Sequence, residues 1–524
     1  MRFVRSVTTR LVSTLCLLAA AWLTPGCGSS YAPDPPGDSG KKARPLASIY
    51  DFVVTVPTLT FPQFPSQGLT VEMTLEIDAK TAASSAFTCT VTITDVKVGG
   101  ITRSFSTAGP LACTGIVSGR EFAVESFGPL MIGNPPGGTT GVMLALSGRV
   151  STDGRAIDGN TLATSSGETG LFHAIKQRRY LVAATDFGVT GTASLVKVRF
   201  NTRFSVQRDL EAVSGDAVAR ASGSGIYIIN RFFFDNIQIL DPADGFRTTL
   251  QYSTGNGSNP HDIMEVDPNR VYITRYEPPY NDILVAERDT GDPIGFIELS
   301  DFATNSSATP RADGMVIAEG RVLASLQNID SSFREYGPGV VVVIDPVTDA
   351  IVGSITLAGR NPFGRPVLDE VSHHLFYAMA GVFQGTLDRM LDGGIEVVDP
   401  VASTTHGLLV DDDDLGGNVS GVAIAPEGFG RIAYCIVTTA SGMNQVRAFD
   451  PDTGVISPGV VYQSSSFLPE IVSDGDGYII IAEHDINDPR LVVLSAATGQ
   501  IVATPGISLP PFSLAILTRT VPSE

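Results

Sequence analysis

Four acids and one histidine stand where short apolar segments begin. Asp216, Asp262, Asp313 and Glu470 each open such a segment, and His261 directly precedes Asp262 within Asn259-Pro260-His261-Asp262. Carboxylates and an imidazole held at one place raise one another's pKa or recruit a cation. Such a set could bind Ca²⁺ or another cation, seat a basic ligand, or simply border a water-filled acidic channel.

The remaining residues with chemical potential read as structural. His373 and His374 are adjacent, so on a strand they point to opposite faces and chelate one metal poorly. His173, His406 and His484 stand alone in the sequence. Asp411 to Asp414 form an acidic run without the spaced ligands and glycine of an EF-hand loop, and read as a solvated loop. Ser473-Asp474-Gly475-Asp476-Gly477 reads as a hairpin turn. Cys435 lies inside the apolar strand IAYCIV, where a buried inert thiol is expected. The chain has no Gly-x-Ser-x-Gly elbow, no His-Glu-x-x-His helix and no phosphate loop.

The elements that would position the acids are repeats. An apolar strand, a turn of the Asp-Pro type and a second strand recur as IQILDPADG from Ile237, VVVIDPVTD from Val341, IEVVDPVAS from Ile395 and VRAFDPDTG from Val446. Looser copies are ILVAERDTG from Ile283 and LVVLSAATG from Leu491. The anchors Asp241, Glu287, Asp345, Asp399, Asp450 and Ser495 are spaced by 46, 58, 54, 51 and 45 residues. A strand-built period near fifty is the mark of a β-propeller, one repeat per blade. In the turns, Pro fixes φ, Asp or Thr bonds back to the backbone, and Gly takes the left-handed position. The anchor acids are therefore read as turn-formers.

Each repeat is expected to hold four strands, a to d. The b strands begin at Tyr180, Ile226, Val271, Val322, Leu375, Ile432 and Tyr478. The a strands begin near Asp216, Asp262, Asp313, Gly364, Gly421, Glu470 and Ser513. The first b strand has no a strand before it, and the last a strand, FSLAIL from Phe512, has no b strand after it. The two leftovers complement each other. Residues 177–522 thus predict seven blades in a closed ring, with both chain ends in one blade, because an open ring would leave a raw sheet edge.

Residues 49–172 form a different unit. TVEMTLEID, FTCTVTITDVKV, VMLALSGRV and GLFHAIKQ alternate apolar and polar residues with period two. This predicts an antiparallel β-sandwich or small barrel of about eight strands. Cys89 and Cys113, 24 residues apart in this exported β-rich region, are expected to form a disulfide. The whole chain is therefore all-β.

The first 26 residues read as an export signal: Arg2, Arg5 and Arg10, then the apolar run Leu11 to Leu23, too short for a comfortable membrane span. The following Thr24-Pro25-Gly26-Cys27-Gly28 resembles a bacterial lipoprotein signal, which implies lipidation at Cys27; plain secretory cleavage nearby is the alternative. Gly28 resembles the residue that follows the cysteine of outer-membrane lipoproteins. Residues 27–48, rich in Gly, Ser, Pro and Asp, read as a flexible tether. The expectation is a monomer tethered to the cell envelope, at the outer membrane, or else free as a periplasmic or secreted protein.

The formal net charge is −20, and without residues 1–26 it is 32 minus 55, or −23. So acidic a surface argues against nucleic acid or anionic lipid as the main partner. The remaining expectation is a protein or small-molecule ligand.

IYIIN followed by IQILDPADG, with Val341–Ala358 and Ile395–Val410, resembles the YVTN family of seven-bladed propellers, across about 340 residues of repeat logic. The resemblance implies the fold; propellers as a class serve binding, signalling and many unrelated reactions. The repeats lack the Gly-His and Trp-Asp pattern of WD propellers. The single tryptophan, Trp22, lies in the signal, which disfavours quinone-binding and Asp-box propellers. The function so read is a non-enzymatic binding or interaction scaffold at the cell envelope, with no cofactor other than Ca²⁺ at the channel mouth. The alternative is a lactonase-like or related hydrolase using His261, Asp262 and the neighbouring acids.

Overall fold

The computed structural model describes residues 49–61, 64–77, 86–107, 109–118, 120–134, 138–151, 156–164, 166–382 and 392–517. The expected signal, Cys27 and the tether lie outside the described residues. The chain separates into two compact units after Gln177. Among the described residues no helix is long and apolar enough to cross a membrane.

The first unit is a closed barrel of eight long strands. Ile49–Phe61, Phe64–Ile77, Ala86–Val98, Leu111–Ser118, Glu121–Asn134, Gly138–Val150, Ala156–Ala163 and Glu168–Lys176 pair antiparallel in succession. The first also pairs with the last, Tyr50 opposite Lys176 through Thr55 opposite Leu171. Closure selects the barrel over the sandwich and leaves no edge between these strands. Period-two burial is clean in Ala86–Val98, where Phe87, Cys89, Val91 and Ile93 point inward and their neighbours outward. Phe52 stacks on Phe172 at 5.4 Å and Phe87 on Phe122 at 5.7 Å, so aromatic rings fill the interior. Gly148 and Gly159 face each other across two strands, where a Cβ on Gly159 would come within 2.2 Å of the Ser147 carbonyl oxygen. Cys89 lies directly opposite Cys113 and the two are joined as a disulfide, as expected.

The second unit is a ring of seven four-stranded antiparallel sheets. Blade 1 is completed as the leftover strands require. Arg178–Thr185, Thr190–Arg199 and Arg203–Ser214 are its b, c and d strands, and Pro511–Ile516 is its a strand. Tyr180 pairs with Ile516, Leu181 with Ala515, Val182 with Leu514 and Ala183 with Ser513. The a strands of blades 2 to 7 are Ala217–Ser222, Pro260–Asp267, Ala312–Ala318, Val367–Leu368, Gly417–Ile424 and Ile471–Ser473.

Burial explains why the strands are apolar on both faces. Among the described residues, seven apolar clusters sit one at each junction between adjacent blades. Val182 and Leu514 of blade 1, for example, pack against Ile480 and Val493 of blade 7. Tyrosines of the b strands reach across these junctions: Tyr227 donates to Glu265 at 2.6 Å and Tyr434 to the Ala496 carbonyl at 2.9 Å.

The anchor acids do form turns. Asp241 accepts from the Ala243 N–H, Asp345 from Val347, Asp399 from Val401 and Ala402, and Asp450 from Asp452 and Thr453. Gly245, Gly291, Gly454 and Gly499 follow with φ between 66° and 77°, and Asp349 and Ser403 take that place at φ 55° and 53°. The Asp411–Asp414 run differs from the solvated loop expected. Asp411 caps a short helix, Asp412–Leu415, and Asp412 is fully buried. Burial pushes its carboxyl up to about 7.

Two predictions follow from ring closure. Deleting residues 508–524 removes the closing strand and bares the inner edge of Arg178–Thr185, so the propeller's melting midpoint should fall by about 10 °C or more, read by circular dichroism. Leu514→Ala, in the closing strand, should cost about 2–4 kcal/mol in denaturant unfolding.

Candidate functional site

A cavity of about 500 Å³ follows the central channel and is lined by all seven blades. The a strands all start at one end of it, and the b–c loops return to that same end. Along one stretch stand Arg220, Arg231, His261, Asp313, Arg365 and Glu470, with Phe363, Phe467 and Phe512. Toward the a–b turns the lining includes Glu370 and Glu427.

Of the expected acids, Asp313 and Glu470 line the cavity and Asp216 and Asp262 do not, and all four are held by partners. Asp262 has a side chain 1 % exposed and sits at the centre of a charge network. One oxygen accepts from Arg220 Nε at 2.9 Å and from the Ile263 N–H. The other accepts from the Met315 N–H at 2.8 Å and lies 3.3 Å from Arg365 Nε. Asp262 is thereby sealed beneath the cavity, while its neighbour His261 lines it. Asp216 pairs with Arg231, whose guanidinium also lies 5.2 Å from the Phe512 ring centroid. Glu470 lies 3.5 Å from Arg220 and accepts from the Leu514 N–H.

His261 and Asp313 form a second group. His261 Nδ1 is 2.8 Å from Asp313, and the ring stacks flat on Tyr276 at 3.9 Å. Asp313 also accepts from Gln327 at 2.9 Å and from the Gly364 N–H at 2.8 Å, while Tyr276 donates to Gln327 at 2.6 Å. Because the ionised Asp313 can only accept, Nδ1 carries the hydrogen and the neutral ring leaves Nε2 as its basic nitrogen.

Burial decides the protonation states. It drives His261 below the usual histidine range, against the pull of Asp313. Burial raises Glu470, with Arg220 and the Leu514 N–H opposing. Burial also works against the Arg220 charge, but Asp262 and Glu470 outweigh it and hold the group above its usual value. Arg365 goes the other way: burial lowers it and outweighs the pull of Asp262 and Glu470, and Arg220 nearby lowers it further. Its side chain is 31 % exposed and its ion-pair partner, Asp262, is shared with Arg220. Arg365 is thus the cation at the cavity least compensated by protein.

The three arginines were missed in the sequence. Arg220 could have been noticed as a charge inside the apolar segment AVARAS, and Arg365 beside Gly364, at the expected start of an a strand. His173 and His484, read as isolated, have partners: His173 meets Asp158 at 2.5 Å, and His484 stacks on Phe187 at 4.5 Å. Cys435 is buried as expected, and burial pushes its thiol up to about 12.

No protein-family model matches the chain, and no curated protein matches it. Solved structures to which the chain shows similarity include two of AztD from Citrobacter koseri. The apo structure is 12 % identical with a TM-score of 0.38, and the other is 12 % identical with a TM-score of 0.36; each covers 69 % of this chain and 95 % of AztD. Dihydro-heme d1 dehydrogenase NirN, in complex with DHE, is 13 % identical with a TM-score of 0.40, covering 64 % of this chain and 74 % of NirN. The seven-bladed propeller stands on the chain's own strand pairing.

The lowered His261 has a consequence for pH. Its folded pKa lies below the unfolded value of about 6.5, so the unfolded chain binds the extra proton first. Its contribution is intact above about pH 6.5 and is lost as the pH falls below that. His261→Gln should remove this slope, seen as a pH-dependent difference in melting midpoint from the wild type between pH 5 and 7.5. In NMR titration His261 should remain neutral at pH 7.

Proposed function

We propose that the protein is an envelope-anchored, non-enzymatic binding protein whose propeller channel takes a small ligand with an anionic group and an apolar body. The observation that carries this reading is Arg365, a partly exposed guanidinium on the cavity whose one ion-pair partner among the described residues, Asp262, is shared with Arg220. A guanidinium in a partly water-excluded cavity pairs well with a ligand carboxylate, whose two oxygens match its fork. Phe363, Phe467 and Phe512, which also line the cavity, offer rings to the rest of the ligand. Exposed Phe187, Phe233 and Phe333 stand on b–c loops at the same end.

The anchor rests on the residues around Cys27, whose pattern supports lipidation and an outer-membrane position. Propeller closure and the YVTN-like repeats are consistent with a display scaffold. Ca²⁺, the ion expected from the acids alone, would compete with arginines for the same carboxylates.

One observation favours the hydrolase reading. His261 faces the cavity with Nδ1 held by Asp313, the arrangement that orients a general base. Among the described residues the imidazole's one side-chain hydrogen bond is to Asp313, and no serine, threonine or cysteine is bonded to it. A nucleophile would have to be a water.

The test is a thermal-shift panel of aromatic and aliphatic carboxylates, phosphate and CaCl₂ on wild type and Arg365→Gln. At least one carboxylate should raise the wild-type midpoint by several degrees and leave the variant unmoved. Equal shifts in both proteins would overturn the Arg365 assignment. Calorimetry with Ca²⁺ on wild type and Asp262→Ala should show no heat. Lactones incubated with the wild type should remain intact; turnover abolished by His261→Ala would establish the hydrolase instead.

A further inference from the structure

Blade 5 departs from its neighbours at its turn. Its b strand is Leu375–Met379, its c strand Gly394–Asp399 and its d strand Thr404–Asp411. Leu375 pairs with Val398, so the preceding residue, His374, stands across from the anchor Asp399. In blade 4 the corresponding place opposite Asp345 holds Arg321, 2.8 Å from that carboxylate. In blade 3 it holds Arg270, which stands opposite Glu287 in register but sends its guanidinium to Asp267 and Asp349. Where blade 4 places a guanidinium beside the turn acid, blade 5 places an imidazole.

The second imidazole comes from a bulge. Thr405 pairs with Val398 and Gly407 with Val397, which leaves His406 as the extra residue between them. A bulge re-aims the side chain it carries. The same bulge position is Thr249 in blade 2, Val352 in blade 4 and Val502 in blade 7. Among the described residues, an imidazole opposite the turn acid and an imidazole at the bulge coincide only in blade 5. The rings of His374 and His406 come to 4.7 Å between centroids, at 76°. One ligand atom from each of His374, Asp399 and His406 lies within 4.8 Å of the others.

We propose that His374, Asp399 and His406 form a binding site for a divalent transition-metal ion of the zinc type on the outer part of blade 5. Two imidazole nitrogens and one carboxylate oxygen suit such ions, whereas Ca²⁺ and Mg²⁺ prefer oxygen sets of six or more. Tetrahedral bonds of about 2.0–2.2 Å space the ligand atoms roughly 3.3–3.6 Å apart, a contraction within reach of side-chain rotation. One Asp399 oxygen is already held by the N–H groups of Val401 and Ala402, which fixes the carboxylate. Its other oxygen is the one 4.0 Å from His374 Nε2. The backbone before His374 is fixed as well, since the His373 N–H bonds to the Asp369 carbonyl and the Asp369 N–H to that of His374. Three protein ligands with His406 exposed leave the fourth position to water, the arrangement of an exchangeable site rather than a closed structural one. The ion would join strand d to the b–c hairpin of the same blade.

The test is competition of the full chain against a chromogenic chelator with Zn²⁺, together with Co²⁺ absorption in the visible. Wild type should bind Zn²⁺ at one site that is weakened at least about tenfold in both His374→Ala and His406→Ala. The Co²⁺ complex should show tetrahedral bands that both variants lose. His373→Ala, in the turn just before the strand, should bind as wild type does. Absence of Zn²⁺ binding by the wild type, or binding unchanged in both ligand variants, would overturn the proposal. Circular dichroism confirms that the variants fold, His406 being exposed at a bulge.

Discussion

Every blade of the propeller buries both faces against its neighbours, so the ring must close. A single four-stranded sheet with Val, Ile and Leu on both sides has no stable face toward water. The seven inter-blade clusters make the stability of each blade conditional on the next. Blade 1 shows the constraint most directly. Its inner strand is supplied by Pro511–Ile516, which begins 297 residues after Ser214, the end of its other three strands. The pairing of Leu181 with Ala515 and of Val182 with Leu514 turns a linear array into a cycle. The barrel meets the same demand in its own way, by pairing Ile49–Phe61 with Glu168–Lys176.

Closure also makes the site. Seven short inner strands converge on one axis, and the charged side chains they carry are forced into a narrow space partly shut off from water. There, a carboxylate with no partner would be costly, and the chain supplies guanidiniums from other blades. Asp262 of blade 3 is held by Arg220 of blade 2 and Arg365 of blade 5. His261 and Asp313 belong to blades 3 and 4. The channel is therefore a network of mixed charge in which Arg365 is the member with least compensation, and that imbalance is where a ligand can gain.

The repeat was legible because turn chemistry is local. Asp241, Asp345, Asp399 and Asp450 bond to backbone N–H groups only two or three residues on, so their role is written in adjacent positions. The acids of the a strands were legible for a similar reason: each opens an apolar segment. The arginines were not, because nothing local ties Arg220 to Asp262, 42 residues away. His374 and His406 were hidden twice over. They are 32 positions apart, and a bulge puts His406 in place. A bulge inserts one residue without a sequence mark as clear as Asp-Pro. Asp412 was hidden by burial, since a run of four aspartates reads as solvated until a short helix draws one of them inside.

The sequence by itself determined the strands, their turns, the seven-fold repeat and the split blade that closes the ring. Each depends on residue periodicity or on contacts between near neighbours, which one chain displays directly. It also determined which cysteines pair, because Cys89 and Cys113 stand in one β-rich region. Tertiary structure alone decided whether the first unit is a barrel or a sandwich, since that turns on pairing its first strand with its last. It alone decided the charge state of the channel, because burial and the cations from other blades set the protonation of His261 and Glu470. Of the acids that drew attention first, Asp313 and Glu470 line the channel and Asp262 lies sealed beneath it. What they can bind is governed by the arginines that the fold brings to them.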